Sequence, residues 1–104
     1  MSETSDLTGP LMKMIRQMGH FPLRMNSGKV KVRGGWVQLH DKGTADILVF
    51  FRSGRVLWLE TKDPDGTTQK QRVADQAAFR DKVLDLGHEY RIIKSIDEGL
   101  EAVR

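Results

Sequence analysis

Gly43-Thr44-Ala45-Asp46-Ile47-Leu48-Val49-Phe50-Phe51-Arg52-Ser53-Gly54-Arg55-Val56-Leu57-Trp58-Leu59-Glu60-Thr61-Lys62 is the stretch that decides how this chain folds. Residues 46–51 and 56–61 are apolar runs separated by Ser53-Gly54, residue types that favour a turn. They read as a buried strand and its returning partner, entered through a turn at Asp41-Lys42-Gly43. Side chains repeat every second residue along a strand, so Glu60 and Lys62 point to one face and Thr61 to the other. If the strand opened by Asp46 lies beside them, two carboxylates and one amine converge on a single point.

Working towards the N-terminus, residues 36–40 and 29–33 read as two further strands. Lys29-Val30-Lys31-Val32-Arg33 alternates strictly, and Gly34-Gly35 is a two-residue hairpin signal. Residues 21–26 are expected to be extended, with a turn at Ser27-Gly28. Leu7, Leu11, Met12, Ile15 and Met18 recur at helical spacing, with a helix start expected near Thr8-Gly9-Pro10 and a stop at Gly19. Towards the C-terminus, Asp63-Pro64-Asp65-Gly66 is a loop by composition. A helix follows over about 69–86, stopped by Gly87, then a strand over 89–94 and a short helix over 97–103. The order suits a mixed sheet flanked by helices, an α/β fold.

The whole chain, 1–104, is expected to form a single domain. Seventeen Lys and Arg against fourteen Asp and Glu give a net charge of +3, a mild bias towards polyanions. With no cysteine, disulfides and thiolate-bound zinc are excluded. The longest apolar run, 47–51, is far below the ~20 residues of a membrane helix. The polar, acidic start Met1-Ser2-Glu3-Thr4-Ser5-Asp6 does not resemble a signal peptide, and the expectation is a soluble cytoplasmic protein.

The chemistry lies in Asp46, Glu60 and Lys62. Magnesium binds hard carboxylate oxygens and keeps several waters. A lysine beside it can hold or activate a water that attacks phosphorus. Each residue also has a plainer reading. Asp46 could cap a turn, Glu60 and Lys62 could be an ion pair on a solvated face, and Gln76 could be a satisfied core amide. Val56 and Trp58 share Glu60's face, however, and a carboxylate continuing an apolar stripe is costly to bury without a partner. Gln76 falls in line with Val73, Phe79 and Val83, on the helix face expected to touch the sheet.

The ordered set Gly43-x-x-Asp46, Glu60-x-Lys62, then a helix with Gln76 and a terminal Gly87, resembles the VRR-NUC branch of the PD-(D/E)XK nuclease superfamily. The likeness is to its minimal, stand-alone phage and bacterial versions. It covers the chain from Arg24-x-Asn26-Ser27-Gly28 to Ile92-Ile93-Lys94-Ser95. The resemblance implies a restriction-endonuclease-like fold and a metal-dependent, structure-selective DNA endonuclease, acting on branched DNA such as Holliday junctions. It implies Mg2+ (or Mn2+) as cofactor and a homodimer, in the cytoplasm of a bacterium or a phage-infected host cell. Carried over, it makes Asp46 and Glu60 metal ligands with the Thr61 backbone carbonyl as a third. Lys62 would position the attacking water, and Gln76 would orient the lysine or the water. Ala45 stands where the superfamily's name places proline. Glu3 and Asp6 both lie near the place of a helix-1 acid, and neither aligns cleanly.

The hairpin cations Lys29, Lys31 and Arg33, with Arg24, Asn26, Ser27 and Gly28 upstream, suit contact with a DNA backbone. Their plainer reading is a solvated edge that discourages aggregation. Lys70 and Arg72 read as surface charge. His20, His40 and His88 have no metal-ligand spacing. Leu11, Met12, Met14, Ile15 and Met18 are core or a subunit contact. Two alternatives in other classes are a non-catalytic DNA-binding module of the same fold and a nuclease accessory protein docking through the Met-rich helix.

Overall fold

The computed structural model describes residues 3–25, 29–38, 43–62 and 70–104, and the side chains of all of these except 3–6, 29–30, 38 and 70–71. In chain order the elements are α1 (Glu3–Gln17), β1 (Phe21–Arg24), β2 (Lys29–Val32), β3 (Gly35–Gln38), β4 (Ile47–Phe50), β5 (Val56–Thr61), α2 (Lys70–Asp85), β6 (Glu89–Ile93) and α3 (Ile96–Ala102). Four strands form a mixed sheet in the order β1-β4-β5-β6. β1, β4 and β5 are antiparallel neighbours, and β6 joins β5 in parallel after the α2 crossover. Among the described residues β2 and β3 pair only with each other.

The two faces of β5 carry different chemistry, as period-two alternation requires. Leu57 and Leu59 pack with Ile47, Val49 and Ile93 beneath Leu11 and Ile15 of α1, Ala102 at the end of α3 and Val103 just after it. On the other face Trp58 meets Phe79 of α2 edge to face, with ring centroids 4.9 Å apart. The core therefore fills the α1/α3 side, and α2 covers the side that carries Glu60. Ser95 caps α3 by accepting from the Glu98 N–H at 3.1 Å, while Glu98 reaches back to the Lys94 N–H.

At the far end of the sheet from Glu60, Arg55 ties three elements together. It pairs with both carboxylate oxygens of Glu89, donates to the Ala102 carbonyl at 2.9 Å and lies over the Phe51 ring.

The strand and turn expectations from 47 to 61 match the structure to within a residue, and three expectations are corrected. Helix α1 begins at Glu3, so Pro10 lies inside it rather than near its start. Pro10 is exposed while Leu11 and Ile15 are buried, and that apolar stripe holds the helix together despite one missing N–H. The hairpin loop is Arg33-Gly34 rather than Gly34-Gly35, because Gly35 already pairs with Val32. Val73, expected on the helix face that touches the sheet, is half exposed, at the rim of a cavity it lines with Lys62 and Ile92. His40, the Ser27-Gly28 turn and the loop over 63–66 lie outside the described residues.

Candidate metal and phosphodiester site

Three strands end together at one edge of the sheet. Beyond the β1–β4 ladder the Met25 N–H donates to the Asp46 carbonyl at 2.7 Å. Ile47 pairs with Leu59, so Asp46, one residue earlier, falls across from Glu60. The β5–β6 ladder runs on through Glu60–Ile92 and Thr61–Ile93, and the Lys62 N–H donates to the Ile93 carbonyl at 2.9 Å. Asp46, Glu60, Thr61 and Lys62 are thus fixed by backbone pairing before any side chain interacts.

Asp46 Oδ2 accepts two bonds from one residue, the Thr61 N–H at 2.9 Å and the Thr61 hydroxyl at 2.5 Å. Thr61 was expected to contribute its carbonyl; the described contacts use its donors to orient Asp46. Glu60 is only 1% exposed. Its Oε1 accepts from Gln76 Nε2 at 2.9 Å, and Gln76 Oε1 accepts from Lys62 Nζ at 2.5 Å. Gln76 therefore bridges the acid and the amine, its NH2 donating to the carboxyl and its oxygen accepting from the ammonium nitrogen.

The other oxygen of Glu60, Oε2, is buried and accepts no hydrogen bond from the described residues. Burial first, then the charge of Asp46, pushes the Glu60 carboxyl up to about 8, against the opposing pull of Lys62 and Arg72. A buried acid with one vacant oxygen beside a second carboxylate is short of positive charge. A hard divalent cation shared with Asp46 would supply it, so the donor set fits magnesium or manganese. Among the described residues no group of three or more His, Cys, Asp and Glu side chains could hold a metal, so the acidic side chains here are these two. The side chains of Glu3 and Asp6 are outside the description.

Gly43 explains how α2 reaches the site. Its φ is +85°, and a Cβ placed there would stand 2.2 Å from the Asp75 carbonyl oxygen and 2.8 Å from the Gln76 nitrogen. The backbone of α2 rests directly on this glycine, which sets Gln76 over Glu60. Beside the site, Lys62, Gln76, Arg80, Tyr90 and Ile92 line a cavity of about 100 Å³. Burial, and next the charge of Glu60, raise the Tyr90 hydroxyl to about 12. Tyr90 and Arg80 were not legible as site residues. Tyr90 reaches the Glu60 face only because β6 pairs in parallel with Trp58 opposite Tyr90.

The expected nucleic-acid contacts are scattered. Asn26 and Ser27 lie outside the described residues, and Lys29 is placed by its backbone alone. Lys31 and Arg33 are exposed on the hairpin, Arg33 in its loop rather than on the strand face. Arg24 ends β1 at the same sheet edge as Asp46, but it pairs with Ile47 and so shares the α1/α3 face, opposite Glu60. Arg72, expected to be plain surface charge, lies close enough to Glu60 to favour its ionised form. His20 packs on Phe51 with ring centroids 4.5 Å apart.

Compared with solved structures, the chain is similar to one titled "VRR_NUC domain", at a TM-score of 0.62 and 13% identity, over 99% of this chain and 96% of that one. The protein has the VRR_NUC-domain, restriction-endonuclease-like fold. No family model and no curated protein matches the sequence.

Proposed function

We propose that the chain is a metal-dependent nuclease that hydrolyses DNA phosphodiesters. The observation that carries this reading is the buried Glu60, with a vacant Oε2, set across from Asp46 and linked through Gln76 to Lys62. Asp46 and Glu60 would hold Mg2+ or Mn2+, with the Thr61 carbonyl as a further oxygen. An ion held by these residues would supply Lewis acidity to a scissile phosphate and to a water beside it. Thr61 orients Asp46 by donating two bonds to it. Lys62 holds the attacking water and offsets the negative charge that builds on the phosphoryl oxygens. Gln76 fixes the ammonium so that it does not collapse onto Glu60.

The finer reading is a structure-selective endonuclease acting on branched DNA, Holliday junctions included, as a homodimer in the cytoplasm of a bacterium or phage-infected cell. The fold's likeness to a VRR_NUC domain and the exposed cations Arg24, Lys31 and Arg33 support it. The test is cleavage of labelled four-way junction, 5′-flap, single-stranded and linear duplex DNA with magnesium or manganese. EDTA, Asp46→Ala and Lys62→Ala serve as controls. Cutting of the branched substrates that needs the metal and both residues is expected. Cutting that survives Asp46→Ala at the parent rate defeats the catalytic assignment. Equal cutting of every substrate defeats the selectivity alone.

A further inference from the structure

Trp36 is the most exposed aromatic residue described, at 65%, and it stands directly across the hairpin from Lys31. Directly opposed residues of an antiparallel pair share a face, so an indole and an ammonium lie side by side on one surface. Val32 and Val37 alternate to the other face. Residues 31–37 are all exposed, so no described helix or strand covers either surface. Residues 29–38 hold three cations and no acid, as large a charge as the net +3 of the entire chain. A large ring left in water beside fixed positive charge calls for a partner that is flat and anionic.

From this we infer that the Lys31–Trp36 face of the hairpin binds an unpaired nucleobase, Trp36 stacking on the base while Lys31 and Arg33 hold the flanking phosphates. Every base has a π-face, so such stacking is tolerant of sequence and selects for strands whose bases are accessible. Charge argues against a second copy of the chain as the occupant. A symmetric dimer through this face would set the same cations against each other, and lysine is depleted from the cores of protein interfaces. The inference rests on the nuclease reading for its purpose: a base-stacking surface would steer the site towards branch points and single-stranded ends.

The experiment separates the two, because binding is measured in EDTA, where no cleavage occurs. The full chain is titrated with a short oligothymidylate and, separately, with heparin, a polyanion without bases, while tryptophan emission is followed. Trp58, packed on Phe79, gives a constant background. Oligothymidylate is expected to quench the parent protein, and Trp36→Ala should lose the quenching and roughly five- to hundredfold in affinity. Trp36→Phe should keep most of that affinity, and heparin binding should change little in either variant. Equal oligothymidylate affinity in Trp36→Ala and parent would overturn the inference. So would a parallel loss for heparin, which would make Trp36 a structural support of the hairpin. A shift from dimer to monomer in Trp36→Ala with unchanged oligonucleotide affinity would assign the face to a protein contact instead.

Discussion

Gln76 Nε2 donates to Glu60 Oε1 at 2.9 Å, while the same amide's oxygen accepts from Lys62 Nζ. One neutral side chain thus holds an acid and an amine apart that would otherwise pair directly. Gln76→Ala removes both bonds and frees the Lys62 amine to pair with Glu60. The expected result is a folded protein whose metal-dependent cleavage falls roughly 10–100-fold, the usual range for a residue supporting a metal site. Unchanged cleavage would show that the bridge has no catalytic consequence.

The burial of Glu60 gives the metal-free protein a distinctive pH dependence. Its carboxyl rises from 4.5 to about 8 on folding, so the folded state holds a proton that the unfolded chain releases. Stability from this group is complete below 4.5 and is lost as pH rises towards 8, a change on the order of several kcal/mol. Thermal unfolding in EDTA across that range should show the decline, and Glu60→Gln should flatten it. Saturating magnesium should restore stability at the alkaline end, since a ligand of the folded state stabilises it. An identical slope in Glu60→Gln would place the titrating group elsewhere.

Gly43 and Gly54 make a matched pair. Both have positive φ, +85° and +91°, but a Cβ at Gly54 meets no described atom within 4 Å, whereas at Gly43 it meets the α2 backbone at 2.2 Å. Gly54→Ala should cost only the left-handed penalty of ~1–2 kcal/mol. Gly43→Ala should cost distinctly more and also depress cleavage, because α2 must move and carries Gln76 with it. Equal losses in denaturant melts of the two variants would contradict the close approach.

Arg55 provides a stability test remote from the site. It grips Glu89 with two nitrogens, and that contact holds the Glu89 carboxyl below its ordinary range. Arg55→Ala should destabilise by about 1.5–3 kcal/mol, and Arg55→Lys should recover little because the fork is lost. Cleavage per folded molecule should be unaffected in both, as Glu89 begins β6 at the opposite end from Thr61.

The legible part of this protein was local. Alternation in 56–61 set Glu60 apart from Thr61, the Ser53-Gly54 turn joined β4 to β5, and Gly87 stopped α2. Each follows from a period or a backbone preference that a few consecutive residues express. Pro10 misled, because a helix-breaking residue was outweighed by an apolar stripe whose value depends on the sheet beneath it.

What the sequence by itself determined was the inventory and its order: two carboxylates, a lysine and an inward glutamine, spaced so that strands could bring them together. Only the tertiary structure decided what each does to the others. Parallel pairing of β6 brought Tyr90 onto the Glu60 face, and the seat of α2 on Gly43 carried Gln76 between Glu60 and Lys62. Burial beside Asp46 then changed the acidity of Glu60. Desolvation and Coulomb coupling depend on what surrounds a group in space, and no spacing along the chain contains that information.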